Sequence, residues 1–152
     1  MSELPLLAAA HRILYDANCG FCRWSLGWVL RCDGARRLRP VALQEAEAEW
    51  LLAGMSESER MAAWHLVDPG GSVHSAGRAV PPLLALLLPG AMPAGLARRL
   101  QGPIDRAYGW VAGNRGALGQ RLRHQALARA DELIAARRLQ RPPRKRGQPP
   151  IR

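Results

Sequence analysis

Two cysteines three residues apart, in Cys19-Gly-Phe-Cys22, carry the clearest chemical potential in this chain. The segment before them, 12–16, centres on apolar Ile13, Leu14 and Tyr15 and runs into Asp16-Ala-Asn-Cys-Gly20, so it reads as a short strand stopped by a turn. After them, Trp24 or Ser25, Trp28, Val29 and Cys32 recur at three- and four-residue spacings, which predicts a helix over 21–32 that Asp33-Gly34 ends. A cysteine at such a strand-to-helix junction faces unpaired backbone N–H groups and the positive end of the helix dipole. Its thiolate is stabilised, and its pKa falls below the free value of about 8.5. Cys19 is therefore expected to be the nucleophile. Cys22, one turn further in, is expected to resolve the mixed disulfide and close the Cys19–Cys22 bond.

Asp16 stands three residues before Cys19, where its carboxylate can cap the turn by accepting backbone N–H groups or can handle a cysteine proton during exchange. Capping is the plainer use, because a carboxylate beside a thiolate would raise the thiol pKa. Phe21 and Trp24 read as core packing. Cys32 lies ten residues past Cys22, about 15 Å along a helix, too far to pair with either motif cysteine, and is expected to be a buried packing residue.

Two other readings of the pair are a couple of small buried hydrophobes or half of a zinc site. Zinc needs two further ligands. His65 and His74 are the recruits near the sheet, but no second CxxC and no close histidine pair exists, and His11 and His124 read as incidental. The reading calls for no metal and no cofactor.

The elements that must hold the pair follow. A second strand is expected over 38–43, with Pro40 confining it to a sheet edge or making it irregular, which completes a βαβ unit. Segments 44–52 and 56–61 carry Glu45, Glu47, Glu49, Glu57 and Glu59 and read as solvated helix faces without chemistry. Strands over 63–68 and 72–75, joined by Asp68-Pro-Gly-Gly71, read as an antiparallel hairpin. A short helix over 83–88 comes next. Pro103 is expected to open a helix carrying Ile104, Tyr108 and Val111, while Leu118, Leu122, Ala126, Ala130, Leu133 and Ile134 mark one face of another. The class is α/β: a βαβ plus ββα core with additional C-terminal helices. Residues 137–152 combine arginine and proline with few apolar side chains and read as a disordered basic tail.

Composition bounds the rest. A chain of 152 residues with 48% hydrophobic and 22% charged residues makes one domain with a core of its own, which excludes wholesale disorder. Three cysteines are too few for a disulfide scaffold. The net charge of +10 is lopsided: residues 1–97 hold 8 basic and 9 acidic side chains, residues 98–152 hold 14 and 3. A competing function is therefore a module that binds nucleic acid or an anionic membrane through Arg98, Arg99, Arg121, Arg123, Arg129 and the tail. Such binding would be weak, salt-sensitive and unspecific, since aromatic interleaving and a recognised DNA-binding motif are missing. Residues 80–97 are uncharged, yet Pro81, Pro82, Pro89, Pro93, Gly90 and Gly95 exclude a membrane-spanning helix and leave a loop able to touch a membrane surface. The start has Glu3 and no basic segment, so the cytoplasm is the expected compartment.

The stretch Ile13-Leu-Tyr-Asp16-Ala-Asn-Cys19-Gly-Phe-Cys22 resembles the opening of the DCC family of thiol-disulfide oxidoreductases, bacterial proteins named for an Asp-x-x-Cys-x-x-Cys signature. Later blocks, Leu38 to Gln44, Trp64-His-Leu-Val-Asp-Pro-Gly-Gly71 with Ser75-Ala-Gly-Arg-Ala79, and Tyr108-Gly-Trp-Val-Ala-Gly-Asn-Arg115, follow in the same order. The resemblance covers about 11–123, with the last helix able to continue to 136. It implies a thioredoxin-like fold, Asp16, Cys19 and Cys22 as the signature residues, and a protein or small-molecule disulfide substrate with a separate reductant. Ala17 and Gly20 stand where the commoner form has Gly and Pro, and Tyr108, Asn114 and Arg115 read as a packed helix end.

Overall fold

The computed structural model describes residues 10–88, 90 and 93–140. Four strands, β1 His11–Tyr15, β2 Leu38–Ala42, β3 His65–Val67 and β4 Val73–Ser75, form one sheet in the order β2-β1-β3-β4. β1 runs parallel to β2 and antiparallel to β3, and β3 and β4 make the expected antiparallel hairpin. The helices are α1 Gly20–Cys32, α2 Ala46–Leu51, α3 Glu57–Ala62, α4 Val80–Leu87, α5 Ala94–Gln120 and α6 His124–Leu139. The result is the thioredoxin-like α/β arrangement implied by the sequence.

Alternation along β1 builds the core on both faces of the sheet. Ile13 and Tyr15 pack with Leu26 and Leu30 of α1, Leu83 of α4 and Ile134 of α6. Leu14 faces the other way, with Val41, Leu43, Val67, Ala48 and Leu52. β2 lies at the sheet edge, where Pro40, opposite Ile13, costs least. The α1–α6 contact is close because Gly27 lacks a side chain: a Cβ there would stand 2.8 Å from the Ala130 Cβ.

Several expectations are corrected. Cys32 is exposed: the buried side of α1 is Leu26, Gly27 and Leu30, and two residues past Leu30 the helix has turned to its opposite face. Trp28 is half exposed for the same reason. Pro103 does not open a helix but lies inside α5. The segment before it holds the helix formers Leu96, Arg98, Arg99 and Leu100, so the helix propagates into the proline. Gly102 has no Cβ to clash with the ring. The face expected from Leu118 to Ile134 is split, because α5 ends at Gln120 and α6 begins at His124. α4 starts at Val80, with prolines preorganising its first turn. Glu47 is not simply solvated but pairs with Arg12 at 3.5 Å and Arg39 at 3.4 Å.

The basic tail does not begin at Arg137. α6 continues to Leu139, and Arg137 is buried against Asp33, with which it forms an ion pair. Its Nη2 also donates to the Leu30 carbonyl at 2.9 Å. Arg138 pairs with Glu45. Residues 141–152, and with them most of the expected tail, lie outside the described residues, as does most of the proline-rich loop at 89–92. Among the described residues no helix is long and apolar enough to cross a membrane.

Removing Arg137 leaves a buried, uncompensated carboxylate, so Arg137→Met is expected to cost about 3–5 kcal/mol in chemical denaturation. A second expectation concerns pH. Burial lowers the pKa of His65 and of His11 below the ordinary 6.5. The unfolded chain therefore takes up protons first as the pH falls, and the stability that the neutral rings contribute is full above 6.5 and is lost below it. The urea midpoint should drop between about pH 7.5 and 5.5, and His65→Gln should remove part of that drop.

Candidate functional site

The site is assembled where β1 hands over to α1. Cys19 has extended backbone (φ −97°, ψ 110°) and is the N-cap of α1. Its Sγ accepts the Cys22 N–H at 3.2 Å, taking up one of the orphan donors of the first turn. The two sulfurs are joined as a disulfide, with the Cα atoms 5.2 Å apart. The far end of α5 rests on this turn, since a Cβ on Gly119 would stand 3.2 Å from the Phe21 backbone nitrogen.

Asp16 holds the loop that leads into the pair. Its Oδ1 accepts the Asn18 N–H at 2.9 Å and Gln44 Nε2 at 2.8 Å, and its carbonyl accepts the Cys19 N–H at 3.2 Å. Gln44 completes the clasp by accepting the Ala17 N–H on Oε1 at 3.2 Å. Sequence reasoning placed Gln44 at the end of a family block over 38–44 and at the start of a glutamate-rich segment, with no part in the site. The parallel register was the signal that could have found it: Tyr15 lies opposite Ala42, so the residues that follow each strand meet at the same sheet edge.

A cavity of about 270 Å³ opens beside the pair, with Asp16, Phe21 and Cys22 on its wall. α5 contributes Tyr108, Val111, Ala112 and Arg115, one helical face by their spacing. The Tyr108 hydroxyl accepts the Trp64 N–H at 3.2 Å, and the two rings stack at 6.5 Å. Burial pushes the Tyr108 pKa up, keeping the phenol protonated. Of the block expected only to pack a helix end, Tyr108 and Arg115 thus face the cavity. Asn114 is exposed and donates to the Trp110 carbonyl at 2.7 Å. Phe21 lines the cavity as well as packing on Trp24, at 5.7 Å between rings.

His65 is no recruit for zinc. Its Nε2 lies 2.9 Å from the Arg60 carbonyl, an acceptor only, so this nitrogen carries the proton, and Nδ1 accepts the Ser75 hydroxyl at 2.7 Å. Among the described residues no group of three or more His, Cys, Asp or Glu side chains gathers to hold a metal ion.

A thioredoxin-like sheet with a CxxC pair at the start of the helix after its first strand defines a thiol-disulfide oxidoreductase. The family model of the DCC1-like thiol-disulfide oxidoreductases matches residues 13–121, and the chain belongs to that family. Among curated proteins and among solved structures, nothing matches the chain.

Proposed function

We propose that this enzyme exchanges disulfides with Cys19 as the attacking sulfur and Cys22 as the resolving one. The observation that carries the assignment is the Cys22 N–H donated to Cys19 Sγ at 3.2 Å. In the reduced protein that donor, with the dipole of a 13-residue helix behind it, favours negative charge on Cys19 over Cys22. The Cys19 thiolate attacks one sulfur of a substrate disulfide and breaks its S–S bond, and half of the substrate leaves as a thiolate. Cys22 gives up its proton and attacks Cys19, the second half leaves, and the Cys19–Cys22 disulfide remains. The substrate gains two electrons and the protein loses them, and a separate thiol donor reverses the change on the protein. A cytoplasmic setting suits this cycle, because its thiol pool keeps dithiols reduced.

Asp16 acts in this scheme as a positioning residue. Its Oδ1 accepts both the Asn18 N–H and Gln44 Nε2, which sets the loop so that Cys19 caps the helix.

Cys22→Ser is expected to accumulate a mixed disulfide on Cys19 that mass spectrometry detects, whereas Cys19→Ser should form none on Cys22. The reverse pattern exchanges the two roles. Asp16→Asn keeps an acceptor oxygen, so exchange should stay within about threefold with an unchanged pH profile. Asp16→Ala, which loses both bonds, should destabilise the fold by about 1–3 kcal/mol. A displaced pH profile in Asp16→Asn would assign the carboxyl to proton transfer instead.

A further inference from the structure

We propose that the cavity beside Cys22 binds small apolar monocarboxylates, with the carboxylate on Arg115, and that the disulfides exchanged at Cys19 and Cys22 belong to this class. The second half of the proposal rests on the exchange reading above; the first does not.

The wall is mainly apolar, from Ile13, Leu26, Val29, Trp64 and Val111. Besides the cysteine and Tyr15, four polar side chains interrupt it. Ser25 spends its hydroxyl proton on the Phe21 carbonyl at 2.6 Å. Asp16 is clasped by Asn18 and Gln44. The Tyr108 oxygen accepts the Trp64 N–H and keeps its own proton to give. Arg115 is the cation of the wall. Its one protein bond is a long one, from Nη2 to the Met61 carbonyl at 3.5 Å. Arg12, Arg23, Arg39, Arg60, Arg137 and Arg138 each pair with a carboxylate; Arg115 is among the described arginines that pair with none, and of these it is the one on the cavity wall. Asp16 is the other charge of the wall but forms no ion pair with Arg115, and a guanidinium so placed is matched by a carboxylate, which its planar fork can hold with two parallel bonds.

Position and size narrow the ligand. Arg115 and Cys22 line the same cavity, and the Arg115 Nη2 reaches toward the Met61 carbonyl. A substrate whose carboxylate meets Arg115 and whose sulfur meets Cys22 therefore lies across this cavity, with its apolar body against the wall. A volume of about 270 Å³ is just under the roughly 300–1,000 Å³ of sites for drug-sized ligands. A compact aromatic or aliphatic body suits it. A glutathione-like peptide, with several charges and amides, would leave polar groups unpaired against this wall.

Calorimetry on the oxidised full-length protein, with hydrocinnamate and its neutral amide as probes, tests the binding without any redox step. The acid is expected to bind about tenfold or more tightly than the amide. Arg115→Gln should erase the preference while leaving the amide's affinity unchanged, and Arg115→Lys should keep part of it. Equal affinities, a preference that survives Arg115→Gln, or no binding of either probe overturns the proposal. For the exchange half, the reduced protein is mixed once with anionic dithiobis(nitrobenzoate) or with neutral dithiodipyridine; each turnover converts the dithiol to the Cys19–Cys22 disulfide and releases two thiols. Arg115→Gln should slow the first reaction about tenfold relative to the second. If both disulfides react at rates indifferent to Arg115, the exchange reading stands and the substrate class falls. If neither reacts, the exchange reading falls and calorimetry alone judges the cavity.

Discussion

A single buried carboxylate organises this molecule. Asp33, 1% exposed, accepts the Arg37 N–H at 3.0 Å on one oxygen and the Leu38 N–H at 2.9 Å on the other, and pairs with Arg137. A charge taken out of water is tolerated only when it is both paired and hydrogen-bonded, so three segments must converge on it: the end of α1, the entry to β2, and α6. Arg137 tightens the knot by also donating to the carbonyls of Leu30 and Asp33, at 2.9 and 3.3 Å, two of the acceptors a helix end leaves open. The crossover of the βαβ unit is closed there.

What this does for the chemistry lies at the other end of α1. The helix is held at its foot by Asp33 and Arg137, at its middle by the Gly27–Ala130 approach, and at its head by the last turn of α5 against Phe21. A helix held at three levels presents its first turn in one place, and the first turn carries both cysteines. The loop before it is set with equal economy: Gln44 reads the Asp16 carboxylate with its nitrogen and the Ala17 N–H with its oxygen, so the ends of two parallel strands are clasped directly beneath Cys19.

The basic back half also takes on a different sense once folded. Arg137 and Arg138 neutralise Asp33 and Glu45. Part of the excess charge that composition offers to phosphates is thus spent inside the molecule, and Arg115 faces the cavity beside the disulfide. Net charge counts side chains but carries no information about which of them are already paired.

The sequence by itself determined the α/β class, the βαβ unit around the CxxC and the hairpin at Asp68. These follow from local rules: strand alternation, turn residues and helix caps act over a few residues and are written in contiguous sequence. Tertiary structure alone decided that Arg137 is a buried partner and not the start of a tail, that Cys32 and Trp28 face outward, that α5 runs through Pro103, and that Gln44, Tyr108 and Arg115 gather around the pair. Asp33 and Arg137 are 104 residues apart, and Gln44 lies 28 from Asp16. Contacts over such separations depend on how helices pack across a sheet, a choice set by burial and charge pairing over the whole chain and not by any one segment of it.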